Sequence, residues 1–178
     1  FWNYKNDKSF LNFFKNKNEQ DYVNKIITKV EKFLKKINYL DSEFNSQIGD
    51  KIEKIKDINW FLKYELQQNV KFILDFTNKD SRDIKDSSII FLRNLSSIIN
   101  SINFLEMRGR DSLGISINLN IKDIKSQKIK KIKEITEYKK HKDFTAITFV
   151  FKTSNSVGYL GENSENLINQ MKNNKSFL

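Results

Sequence analysis

The apolar residues of this chain keep one period up to about residue 110 and another beyond it. From Asp21 to Leu40, Val23, Ile26, Ile27, Val30, Phe33, Leu34, Ile37 and Leu40 recur at three- and four-residue intervals. That spacing lays side chains along one face of a helix. A second stretch, from about Ser46 to Phe76, carries Ile48, Ile52, Ile55, Leu62, Leu66, Val70, Ile73 and Leu74, with a break expected near Asp57-Ile58-Asn59. Asn78 to Ser87 is polar and reads as a loop. A third helix is expected from about Ser88 to Met107, with Ile89, Leu92, Ile99, Ile102 and Leu105 as its buried stripe.

Past Arg110 the pattern changes to period two. Ile115, Ile117, Leu119 and Ile121 alternate with Ser116, Asn118 and Asn120, and Ile147, Phe149 and Phe151 alternate likewise between Ala146 and Lys152. Alternation belongs to a strand with one covered face, so these runs are expected to pair antiparallel. A last helix is expected at Gly161-Glu162-Asn163, with Asn163 as its cap, Glu165 in its first turn and Leu167, Ile168 and Met171 on its apolar side. Helices first and strands after make the chain α+β, predominantly helical with an antiparallel strand pair. The first two helices, joined around Asp41 to Asn45, suggest a helical hairpin.

Charge is distributed unevenly. The formal net charge is +10, yet only four of the 32 basic residues are Arg, and Pro is absent. Lys, Asn and Ile abound, as an AT-rich genome favours, so much of the Lys is read as solvated surface rather than a nucleic-acid surface. Lys122 to Lys142 nevertheless holds nine Lys against Asp123, Glu134 and Glu137. This insert reads as a hairpin arm or a marginal helix. No apolar run approaches the roughly 18–20 residues of a membrane span, and a soluble cytoplasmic protein is expected. Without Cys there is no disulfide, thiolate metal site or thiol nucleophile within these residues. His141, the sole histidine, reads as a surface residue, and no metal or cofactor is expected. Asp80/Asp83 and Glu134/Glu137 read as solvated carboxylates rather than acid–base pairs. Trp60 and Phe61 read as packing residues.

Against such a composition, the scarce residues locate the chemistry. Four of the five Gly and two of the four Arg fall in two short patches. The first is Leu105-Glu106-Met107-Arg108-Gly109-Arg110-Asp111-Ser112-Leu113-Gly114-Ile115, where a helix gives way to a strand. The second is Phe151-Lys152-Thr153-Ser154-Asn155-Ser156-Val157-Gly158-Tyr159-Leu160-Gly161-Glu162-Asn163, where a strand gives way to a helix.

Arg108-Gly109-Arg110-Asp111-Ser112-Leu113-Gly114-Ile115 resembles the Arg-Gly-Tyr-Asp-Ser-Ala-Gly-Ile turn of the class II (N-terminal nucleophile) glutamine amidotransferases, in the branch of glucosamine-6-phosphate synthase. It departs from that pattern at Arg110 and Leu113. The second patch resembles the Val-Gly-x-Leu-Gly-(Glu/Asp)-Asn turn of longer homologues. The likeness covers about Ser88 to Asn173 well and Asp21 to Phe76 loosely. It implies residues 1–86 as a helical insertion, and 87–178 as part of a glutaminase core of the αββα sandwich type with a Lys-rich hairpin insert at 121–143.

The resemblance further implies glutamine as substrate, hydrolysed to feed ammonia to a sugar phosphate (fructose 6-phosphate) held by a domain outside these residues. The nucleophilic Cys would lie upstream of Phe1, an opening that itself looks like the middle of a longer polypeptide. Arg108 and Gly109 would support that Cys. Asp111, Ser112, Gly114, Gly158 and Gly161 would be structural members of the two turns. The fragment alone would not hydrolyse glutamine, and a homo-oligomer is compatible with this picture. Two rivals are a basic helical nucleic-acid-binding module, with Lys122 to Lys142 tracking phosphates, and the glutaminase half of another class II amidotransferase.

Overall fold

A computed structural model describes residues 5–37, 42–80, 83–106, 112–122, 137–154, 159, 161–174 and 177. The chain divides into two compact units, Phe1–Ile98 and Ile99–Leu178.

The first unit is helical. Helix α1 (Asp7–Lys15) starts where the Asn6 side chain accepts the Ser9 N–H at 2.8 Å, satisfying one of the donors a helix start leaves orphaned. It buries Phe10, Phe13 and Phe14 completely. This helix lies ahead of the first one expected from the sequence. Helix α2 (Lys17–Ile37) follows after Asn16, whose side chain accepts the Glu19 N–H at 3.1 Å. Gln20 is buried and donates to the Phe13 and Phe14 carbonyls at 3.1 and 2.7 Å, closing the last turn of α1. Val23, Ile27 and Ile37 are buried as the periodicity predicts, whereas Phe33 is 48% exposed.

Helix α3 (Ser42–Trp60) continues into a π-helical segment (Phe61–Gln67) and then α4 (Gln68–Thr77). The break expected near Asp57-Ile58-Asn59 is therefore absent, and helix already occupies Ser42 to Asn45, where a turn was expected. Leu62, Leu66 and Val70 are spaced four apart and all buried. In an α-helix of 3.6 residues per turn such a row drifts off its face, and the wider turn counters that drift. Gln67 donates to the Gln20 carbonyl at 2.7 Å and Lys63 pairs with Glu31 at 2.8 Å. Partner numbers fall in one helix as they rise in the other, so α2 runs antiparallel to this segment, as the hairpin reading anticipates. Asn78 ends α4 in the left-handed conformation (φ 51°), which Asn tolerates better than most residues. Trp60 is 47% exposed while Phe61 is buried, so only Phe61 is the packing residue expected.

Helix α5 spans Asp86–Glu106 and buries Ile89, Leu92, Leu95 and Ile99. Arg93, also buried, lays its guanidinium 4.4 Å from the Phe10 ring centre, donates to the Lys5 carbonyl at 3.3 Å and lies 3.5 Å from Asp7. Burial lowers its pKa, partly offset by Asp7 and Glu65. One of the scarce arginines thus serves packing, outside both Gly-rich patches.

The second unit holds strands β1 (Leu113–Ile121), β2 (Glu137–Lys140) and β3 (Thr145–Thr153), followed by helix α6 (Glu162–Asn173). They form an antiparallel sheet ordered β1-β3-β2. The expected pair is present, and β2 adds a third strand from within the Lys-rich insert. That portion is a hairpin arm, while residues 123–136 lie outside the described residues. Ile147, Phe149 and Phe151 of the central strand are buried, with Leu167 and Met171 of α6 and edge-on contacts from Phe177 at 5.2 and 5.3 Å. The opposite face carries Gly114, Ser116, Asn118 and Asn120, all exposed. No helix of the described residues is long and apolar enough to cross a membrane.

Candidate functional site

Register decides what the two patches have to do with each other. β1 and β3 pair residue for residue from Leu113 opposite Thr153 to Ile121 opposite Thr145. The start of β1 therefore lies beside the end of β3. Ser112, the last residue before β1, and Ser154, the first after β3, line the same end of the sheet. Sequences about forty residues apart are brought to one pole of the sheet. Arg108, Gly109, Asp111 and Gly158 themselves lie outside the described residues. Ser112, Gly114 and Gly161 lie within them.

A shallow depression at this pole is lined by Ser112, Leu113, Gly114, Lys152, Thr153 and Ser154. Among the described residues it offers three hydroxyls and one ammonium, with no carboxylate. Such a surface donates hydrogen bonds and tolerates negative charge. Ser112 and Ser154 make no hydrogen bond to Lys152 among the described residues, so nothing here couples a nucleophile to a base. Lys152 and Thr153 belong to the second patch but carry no assigned role in the sequence reading; their place at the end of β3, beside the start of β1, brings them to this pole.

The two described glycines of the patches differ in why they are glycine. Gly161 sits at φ 95° immediately before α6, in the region that L side chains enter only under strain. It occupies the cap position, so the expectation that Asn163 caps the helix is overturned. Asn163 lies inside α6, is buried, and its side-chain oxygen accepts the Thr153 hydroxyl at 3.4 Å. It therefore ties the helix to the strand end instead of closing the helix start. Glu165 does stand in the first turn, where it accepts a hydrogen bond from the Tyr159 hydroxyl. That bond, with burial and the nearby Glu162, raises the Tyr159 pKa. The neighbouring Ser164 hydroxyl is buried and has no hydrogen-bond partner among the described residues.

The other pole is basic. Lys140 lies opposite Thr145 on the side of β3 away from Ile121, which brings Lys122, Lys140, His141 and Lys142 to one end of the sheet. All are exposed, and no ion pair holds these lysines among the described residues. His141 is the surface residue expected, stacked on Phe144 at 4.5 Å between ring centres. Asp80 and Asp83 are exposed as anticipated, and no group of three or more metal-ligating side chains occurs among the described residues. No protein-family profile, curated protein or solved structure matches the chain.

Proposed function

We propose that this chain is part of the glutaminase half of a glutamine-dependent sugar-phosphate aminotransferase. The reading rests on the resemblance of the two patches, and one observation carries it. The β1–β3 register sets Leu113 opposite Thr153, so the described ends of the two patches, at Ser112 to Gly114 and Lys152 to Ser154, share one end of the sheet. Two turns of a single site need such a meeting.

In this reading an N-terminal Cys from outside these residues attacks the glutamine side-chain amide, releasing ammonia and later glutamate. Arg108 supplies charge and hydrogen bonds beside that terminus, and Gly109 lets the backbone approach it closely. The hydroxyl- and ammonium-lined pole suits a place where negative charge develops. The αββα sandwich belongs to the same proposal. So does fructose 6-phosphate as acceptor, bound elsewhere in the protein. The test is made on the full-length protein. It should release glutamate from glutamine, and a glutamine analogue bearing an electrophilic side chain should block it by labelling an N-terminal Cys. Absence of both would overturn the assignment.

The basic pole supports a second reading, in which the exposed lysines track nucleic-acid phosphates. Binding of a single-stranded oligonucleotide would then weaken steeply as salt rises, and salt-independent or absent binding would remove it.

A further inference from the structure

The two edges of the sheet are built differently. β2 is short and carries Glu137, Lys139 and Lys140 in four residues, all exposed. Shortness and charge are devices that stop a strand edge from recruiting another strand. β1 has neither. It is nine residues long, contains no ionisable side chain and no Pro, and pairs with β3 without a bulge. No strand pairs with its outer edge among the described residues. Its apolar residues are also less covered than those of β3. Leu113, Ile115, Leu119 and Ile121 are half-exposed, while Ile147, Phe149 and Phe151 are 6% exposed or less. Such an edge leaves a row of backbone donors and acceptors beside an unfinished apolar face.

We propose that this edge pairs with the same edge of a second copy, antiparallel about a two-fold axis at Ile117, to give a continuous six-stranded sheet. The strand's own sequence names this occupant. About that axis Leu113 faces the partner's Ile121, Ile115 faces the partner's Leu119, and Ile117 faces its own counterpart. On the other face Gly114 meets the partner's Asn120 and Ser116 meets the partner's Asn118. Every apolar residue meets an apolar one and every exposed position meets an exposed one, with no like charges opposed. A two-fold interface must be self-complementary in this way. β2 paired with itself would offer only four residues to bond against nine, with no apolar row to bury beside them. The inference does not depend on the amidotransferase reading.

The register makes a test that non-specific association does not pass. Sedimentation velocity on the 178-residue chain over a concentration series should give a monomer–dimer equilibrium. Ser116→Lys combined with Asn118→Lys opposes like charges twice across the axis and should weaken the dimer about tenfold. Ser116→Lys combined with Asn118→Glu opposes unlike charges and should leave it within about threefold of the unaltered chain. Both variants lose the bond that Asn118 accepts from the Thr148 hydroxyl, so that loss cancels between them. In the unaltered chain, amide hydrogen exchange should slow in β1 and not in β2 as concentration rises, a measurement that stands even if the variants fold poorly. A monomer at every concentration, equal behaviour of the two double variants, or slowing confined to β2 would each overturn the proposal.

Discussion

Gly114 and Lys152 face one another across β1 and β3, and a Cβ placed on Gly114 would stand 3.5 Å from Lys152 Cγ and 3.7 Å from the Phe151 carbonyl oxygen. Both are ordinary contact distances. The lysine stem lies beside the bare backbone without needing it to be bare. Gly161 is the opposite case, with nothing near a Cβ but a φ that disfavours one.

The two glycines should therefore respond differently to the same change. Gly161→Ala should destabilise the second unit by about 1–2 kcal/mol through backbone strain. Gly114→Ala should change stability by less than about 0.5 kcal/mol, or raise it slightly by restricting the unfolded chain. Denaturant unfolding of the two variants, followed by circular dichroism, distinguishes them.

Hydrophobic periods identify element type well and element identity less well. Val23, Ile27, Ile89, Leu92, Ile147 and Phe149 are where their spacing put them, because one buried face dictates one period. α1 escaped because a nine-residue helix gives barely two turns of signal, and its Asn6 cap is legible only once Phe10, Phe13 and Phe14 are seen as a stripe. The π-helical segment escaped because a four-residue repeat looks like an ordinary helix in sequence. β2 is legible only as one of two alternatives, hairpin arm or marginal helix, because Glu137 to Lys140 is exposed on every residue, which erases alternation. Asn163 was misplaced because Asn is the commonest kind of cap, and only the three-dimensional neighbour, Thr153, reveals its other use. Of the candidate site, the two patches were legible as scarce residues. That their described ends, Ser112 to Gly114 and Lys152 to Ser154, share one pole depends on a register that no single strand encodes.

The α6 side of the sheet should be the least forgiving part of the second unit. Leu167 and Met171 are 1% and 0% exposed. Leu167→Ala should cost about 2–5 kcal/mol, the usual range for opening a cavity in a core. Tm and chemical denaturation of the purified variant check this, and a loss below about 1 kcal/mol would mean the helix is peripheral to the core.

Arg93 should behave as a packing cation. Arg93→Met keeps the stem but loses the charge over Phe10 and the bond to the Lys5 carbonyl. A loss of about 1–3 kcal/mol is expected. Arg93→Lys should recover only part of it, since an ammonium lacks the planar fork that stacks and donates together. Full rescue by Lys would show that charge alone matters at this position.

Tyr159 gives a pH signature at the second turn. Its hydroxyl donates to Glu165, which favours the neutral phenol and raises its pKa above the ordinary 10.0. The bond is thus intact below the usual tyrosine range and is lost as pH climbs through the raised value. Phenolate absorbance, taken as the difference between the unaltered chain and Tyr159→Phe, should rise later than for a free tyrosine. With Glu165→Ala the step should move to lower pH; an unmoved step would separate the two residues.

The most direct measurement is glutamine hydrolysis by the full-length protein carrying Arg108→Ala, with folding followed in parallel by thermal unfolding. An arginine that holds charge beside the nucleophile is expected to lower kcat by about tenfold or more on removal, with Tm nearly unchanged. Unchanged glutamine turnover, or a loss of turnover that only follows a loss of folding, would contradict a catalytic supporting role for this turn.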